Sequence, residues 1–197
     1  MKFFKLLLIG FALTQLTACA VAVFAGAAGT TAVVASDRRD VDTQVADHEL
    51  EKGIQHKLNH DPAIAKQSHV TVVSYNKNVL LVGQAPTDFL LDKIVKMATE
   101  DPNLADLYNE VRIAENSSTA QRTQDTWLTT KLKTRMLADK ELDGHQVKII
   151  TENGEVFLMG KLTEHEQKIA VTIARNMSGV KRVIDIFEPY TKPANDN

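Results

Sequence analysis

Apolar residues recur at a spacing of four in two places, at Leu50, Ile54 and Leu58 and again at Leu128, Leu132 and Met136, and each set marks one face of a helix. An alternating stretch comes behind each, Val70, Val72 and Ser74 in the first case and Val147, Ile149 and Thr151 in the second, which predicts a strand with one buried face. Two continuous apolar runs follow, Val79-Leu80-Leu81-Val82-Gly83 and Val156-Phe157-Leu158-Met159-Gly160. Such runs predict central strands covered by helices. Between the strands of the second pair stands Asn153-Gly154, the strongest short hairpin signal, because both residues tolerate positive φ; Asn76-Lys77 is its chemically weaker counterpart.

A second helix is expected after Thr87 and after Thr163, the latter with Glu166 at capping-box spacing and with Ile169, Ile173 and Met177 as its buried face. Asp101-Pro102 and Ser178-Gly179 stop these helices. A last strand then runs through Leu107, Asn109, Val111 and Ile113 in the first copy, and through Val183, Asp185 and Phe187 in the second. The order αββαβ therefore occurs twice. This is an α+β fold of two tandem domains, 47–115 and 124–190, each a three-stranded mixed sheet packed by two helices. The polar stretch 116–123 reads as a linker that permits limited independent movement, and 191–197 as a disordered tail. Gly83 and Gly160, each ending a central strand, read as architectural positions where a side chain would meet passing backbone.

Ahead of the repeats the pattern changes. Lys2 and Lys5 precede an apolar run, 6–16, that is too short to span a bilayer comfortably, which is the layout of a secretory signal peptide over 1–18. Its end, Leu16-Thr17-Ala18-Cys19, resembles a bacterial lipobox, which implies acylation of Cys19 and cleavage before it. Cys19 is the only cysteine, so no intramolecular disulfide can form in an oxidising compartment, and acylation accounts for the unpaired thiol. The alternatives are an incidental buried thiol, or one uncleaved membrane helix over 6–35, which Gly26, Gly29, Thr30 and Thr31 interrupt. Ala20 follows the cysteine where an aspartate commonly retains lipoproteins in the inner membrane, so the resemblance favours the outer membrane, with the protein facing the periplasm. Residues 19–46 read as the lipidated N-terminus and a tether, with no role assigned to the small apolar residues of 20–35.

Composition narrows the class. A chain of 197 residues with 44% hydrophobic and 24% charged positions carries enough apolar material for two small domains, and an aromatic content of 6% makes their cores aliphatic. The formal net charge is -2, and losing the leader lysines leaves 21 bases against 25 acids. Such a balance excludes global attraction to nucleic acid. Any anionic partner must meet a local patch.

The αββαβ order, the apolar strands ending in glycine, and Ser178-Gly179-Val180-Lys181-Arg182-Val183 resemble the BON domain. Two such domains behind a lipobox resemble the dual-BON outer-membrane lipoproteins. The first copy departs from the pattern at 104–108, where no glycine precedes the last strand. The resemblance implies a non-enzymatic periplasmic role, binding of anionic phospholipid through the second domain, and support of outer-membrane integrity near division sites.

The residues offer their own reason for lipid binding. With Leu128, Leu132 and Met136 on the core face, Trp127 falls at the edge of its helix with Lys131 one turn later, Lys133 and Arg135 add charge to the polar side, and Leu137 falls off the core stripe. An amphipathic ring at headgroup depth with cations reaching phosphates is how an interfacial helix engages anionic lipid. In the first copy Glu49 and Gly53 stand at the Trp127 and Lys131 positions, and 47–115 carries seven bases against eleven acids where 124–190 carries ten of each. Trp127 therefore either meets lipid or packs against the other domain. An envelope adaptor that binds a protein or cell-wall partner through the same helix is the alternative function, and a monomer is expected. His56 and His60 have metal-compatible spacing but lack counterparts in the second copy, and Glu164-His165-Glu166 diverge around a helix. No catalytic residue, metal site or cofactor is expected.

Overall fold

The computed structural model describes residues 37–192. Cys19, the leader and the apolar segment 20–35 lie outside the described residues, as do 193–197 of the tail. Helix α1 (Val41–His60) is capped by Asp40, whose carboxylate accepts from the Thr43 amide, and it buries Leu50, Ile54 and Leu58. A short helix, α2 (Pro62–Gln67), starts on Asp61 with proline in its first turn, an element the αββαβ reading lacked. Strands β1 (His69–Tyr75) and β2 (Asn78–Ala85) form an antiparallel hairpin, helix α3 (Asp88–Thr99) crosses over, and β3 (Asp106–Ile113) returns parallel to β2. The second copy repeats this with α4 (Thr119–Leu137), a 3-10 turn (Gly144–Gln146), β4 (Lys148–Glu152), β5 (Glu155–Leu162), α5 (Glu164–Arg175) and β6 (Arg182–Pro189). Each sheet is mixed, with β2 or β5 at its centre.

Helices cover only one face of each sheet. Val79 and Leu81 join the core under α1 and α3, as Val156 and Leu158 do under α4 and α5. The alternate residues of the same strands, Leu80, Val82, Phe157 and Met159, pack together with Val73 and Tyr75 in a third apolar cluster. The two sheets thus meet through their helix-free faces, and this is why β2 is apolar without a break over 79–82 and β5 over 156–159. The reading of these strands as covered by helices is corrected accordingly: the second cover is the other domain's sheet.

The joint also corrects the linker. Residues 119–123 already belong to α4, which Ser118 caps through the Gln121 amide. Ser117 is held by Gln84, which accepts from its amide at 3.0 Å, and by Glu152, which accepts from its hydroxyl at 3.2 Å; Gln84 itself donates to Glu152. A segment bonded to both domains is no hinge. The tether reading is shortened likewise, because α1 begins at Val41. Just ahead of it, Arg38 forks onto Glu166 of the second domain at 2.7 and 2.8 Å and donates to the Lys161 carbonyl. Arg39 pairs with Asp47 of the first domain at 2.7 Å and stacks over Tyr75 at 4.0 Å.

On α5 the fully buried stripe is Glu166, Ala170 and Ala174, and Ile169, Ile173 and Met177 flank it half-buried. Small residues at the centre let the helix lie close on its sheet, so the expected face was displaced by about one residue step around the helix. At Gly83 a Cβ would overlap the His69 carbonyl at the start of β1, and at Gly160 that of Gln146 at the end of the 3-10 turn before β4, so neighbouring backbone passes where a side chain would stand.

Candidate functional site

Helix α4 fixes the site. Its inward face carries Asp125, Leu128, Leu132 and Met136, and Asp125 is not idle there. Its carboxylate accepts from the amides of Asn153 and Gly154 at 2.8 and 2.9 Å, tying the helix to the β4–β5 turn. Asp47 does the same for Asn76 and Lys77 in the first domain. Asp47 and Asp125 stand three residues ahead of Leu50 and Leu128, so the signal in the sequence was an acid at the same place in both repeated helices; the turn donors it satisfies lie far along the chain in each copy.

Two residues beyond Asp125 the side chain turns outward. Trp127 is 63% exposed, and the Lys131 ammonium sits 3.5 Å from its ring centroid, a cation–π contact across one helical turn. Trp127 therefore takes no part in packing against the other domain, which the sheets accomplish without it. Arg135 is exposed one turn further along the same stripe. Leu137 is 43% exposed, but ten residues at about 100° each place it off that stripe on the opposite flank. Lys133 departs from the expectation altogether. Its ammonium folds inward and donates to the carbonyls of Gly144 and Val147, both at 2.8 Å, where burial holds its pKa below the usual lysine range. The polar side of a helix is not all solvent, and a lysine with a four-carbon stem can satisfy the carbonyls of a neighbouring turn.

A groove of about 640 Å³ runs beside Trp127. One wall is α4, with Gln124, Leu128 and Lys131; the other is the α5–β6 turn, with Ser178, Gly179 and Lys181, and Gly154 closes the end. The turn is pinned there because the Lys181 amide donates to the Gly154 carbonyl at 2.8 Å. Gly179 has φ +99°, a left-handed conformation that glycine adopts freely.

The other candidate clusters resolve into structural pairs. His56 and His60 stack with ring centroids 3.8 Å apart, and among the described residues no group of three potential ligands could hold a metal. Glu164 pairs with Lys168, and His165 with Glu141. Glu166 completes the capping box with Thr163 besides binding Arg38. Burial works against its charge, but the Arg38 fork and the Thr163 amide and hydroxyl outweigh burial and bring the carboxyl to about 2. No local feature of the sequence links Arg38 to a partner so distant in the chain. Among the described residues no helix is long and apolar enough to cross a membrane.

Two helix-backed mixed sheets, each with a glycine near the end of its central strand, which runs two residues past it rather than ending there as expected, define a pair of BON domains. The BON-domain profile matches residues 46–115 and 124–188, and the chain belongs to this family. It is 39% identical over 173 residues, 88% of this chain and 89% of the relative, to the Outer membrane lipoprotein DolP of Haemophilus influenzae. It is also 39% identical over 151 residues, 77% of this chain and 78% of the relative, to the 21 kDa hemolysin of Actinobacillus pleuropneumoniae. A solved structure of the C-terminal domain of CdsD, a structural protein of the type III secretion system of Chlamydia trachomatis, matches with 14% identity and a TM-score of 0.30, covering 74% of this chain and 67% of that one. By family and relationship the chain is a dual-BON, DolP-like outer-membrane lipoprotein.

Proposed function

We propose that this protein, acylated at Cys19 and facing the periplasm, is a non-enzymatic outer-membrane component whose second domain docks on anionic phospholipid through α4 and thereby supports outer-membrane integrity, near division sites. The observation that carries this reading is Trp127, exposed to 63% with the Lys131 ammonium held over its face. An indole of that kind is at home at headgroup depth, and each basic residue near an anionic surface contributes about 1 kcal/mol. Lys131 and Arg135 share its stripe, whereas Lys133 is engaged elsewhere and Leu137 lies on the other flank. The first domain offers Glu49 and Gly53 at the corresponding places, and its excess of acids repels the same headgroups.

The test uses the full chain reconstituted into nanodiscs of phosphatidylglycerol or of phosphatidylcholine. Trp127 is the only tryptophan, so its emission reports this helix alone. Blue-shifted emission, quenched by brominated acyl chains, is expected in phosphatidylglycerol at low salt and not in phosphatidylcholine. Added salt reverses it. Identical emission in both lipids contradicts the proposal and turns attention to a protein partner for the same helix.

A further inference from the structure

We infer that the groove between α4 and the α5–β6 turn is a seat for the phosphate headgroup of a single anionic phospholipid, with Lys131 on one wall and Lys181 on the other; this rests on the reading of α4 as lipid-facing and adds a residue and a geometry to it. A helix lying flat on a bilayer needs only a stripe of cations and an aromatic ring. This helix has more. Beside Trp127 the surface is concave, with about 640 Å³ of room, a volume in the range of small-molecule sites. Leu128 and Gly179 are close neighbours there: a Cβ added at Gly179 would lie 3.8 Å from the Leu128 side chain.

The charges around this concavity are arranged for an anion. Lys131 and Lys181 come from elements on opposite sides, and both line it. The one acid at its edge, Asp125, is buried and spends its oxygens on the Asn153 and Gly154 amides and on the Gln121 side chain. The cations remain to face whatever enters.

The first domain supplies a built-in comparison. Its β3 starts at Asp106 opposite Asn78, as β6 starts at Arg182 opposite Glu155, so Ala105 stands where Lys181 does, and both donate their amides to the turn carbonyl, of Lys77 or of Gly154. Gly53 stands where Lys131 does, and Glu49 where Trp127 does. Two repeats of one topology thus carry both groove cations and the aromatic rim in one copy and none of the three in the other, and the turn that walls the groove has a left-handed residue, Gly179, where the first copy has Asn103 without positive φ. That points to a ligand rather than to the fold as the reason for them.

The test titrates the mole fraction of phosphatidylglycerol in nanodiscs carrying the full chain and reads docking from Trp127 emission. Lys181→Ala and Lys131→Ala are each expected to weaken docking by more than about tenfold, and Arg135→Ala, which removes one cation of the stripe but none of the groove, by about fivefold. Gln124→Phe, which fills the groove without changing charge, is expected to weaken docking as strongly as the lysine variants. Thermal unfolding of each variant checks that these exposed substitutions leave the fold intact. Equal losses from Lys181→Ala and Arg135→Ala, or full docking by Gln124→Phe, would overturn the seat while leaving a flat interfacial helix standing. A wild type with no preference for anionic lipid removes the reading beneath it.

Discussion

At the scale of single residues, the two copies solve the same turn with unequal chemistry. Asn76 and Lys77 have φ of 52° and 65°, and Asn153 and Gly154 have 51° and 78°, so both turns need two left-handed residues in succession. Glycine takes that conformation freely and lysine at a cost, which the two bonds from Asp47 offset. Lys77→Gly is therefore expected to stabilise the protein by about 1 kcal/mol in urea unfolding; an unchanged midpoint would mean the turn is unstrained. Arg38 and Glu166 make a pH-dependent pair. Because the Glu166 carboxyl falls from 4.5 to about 2 on folding, its stabilisation is complete above pH 4.5 and is lost as the pH falls through that value towards 2. Arg38→Ala should cost about 3 kcal/mol at neutral pH and flatten the stability profile over that acid range. Trp127 and Lys131 were legible in the sequence because the heptad-like core stripe leaves them no inward position. Lys133 was not, since its acceptors, Gly144 and Val147, belong to a turn whose path the helix pattern does not specify.

At the scale of elements, hydrophobic period located each of the six strands and four of the five helices among the described residues, and it misplaced what period does not encode. Helices α1 and α4 begin nine residues ahead of the first residue of each apolar stripe, Leu50 or Leu128, because Asp40 and Ser118 cap them well upstream. A continuous apolar strand states that both faces are buried but not by what. Here β2 and β5 are each half domain core and half joint. Phe157, 1% exposed and central to that joint, faces away from its own domain's helices. Phe157→Ala is accordingly expected to cost about 3–4 kcal/mol in urea unfolding, despite leaving the core of its own domain untouched. A cost near zero would show that the sheets do not depend on each other.

At the scale of the molecule, a duplicated unit has diverged around a joint of approximately matching halves. The end of β3 meets the start of β5 through Arg112 and Glu155 at 3.2 Å, and the end of β6 meets the start of β2 through Glu188 and Asn78 at 2.8 Å. Corresponding places thus carry different partners, an ion pair at one end and an amide-to-carboxylate hydrogen bond at the other, which favours one repeat against the other over two like repeats. Division of labour goes with that divergence: the first domain is acidic and serves as the platform, and the second carries the exposed indole and the groove lysines. Hydrogen exchange of the full chain, compared between phosphatidylglycerol and phosphatidylcholine nanodiscs, tests this asymmetry most directly. The account predicts that anionic lipid slows exchange in the first part of α4 and in the turn from Ser178 to Lys181, with no change along α1. Equal protection of both repeats, or none in either, would contradict it.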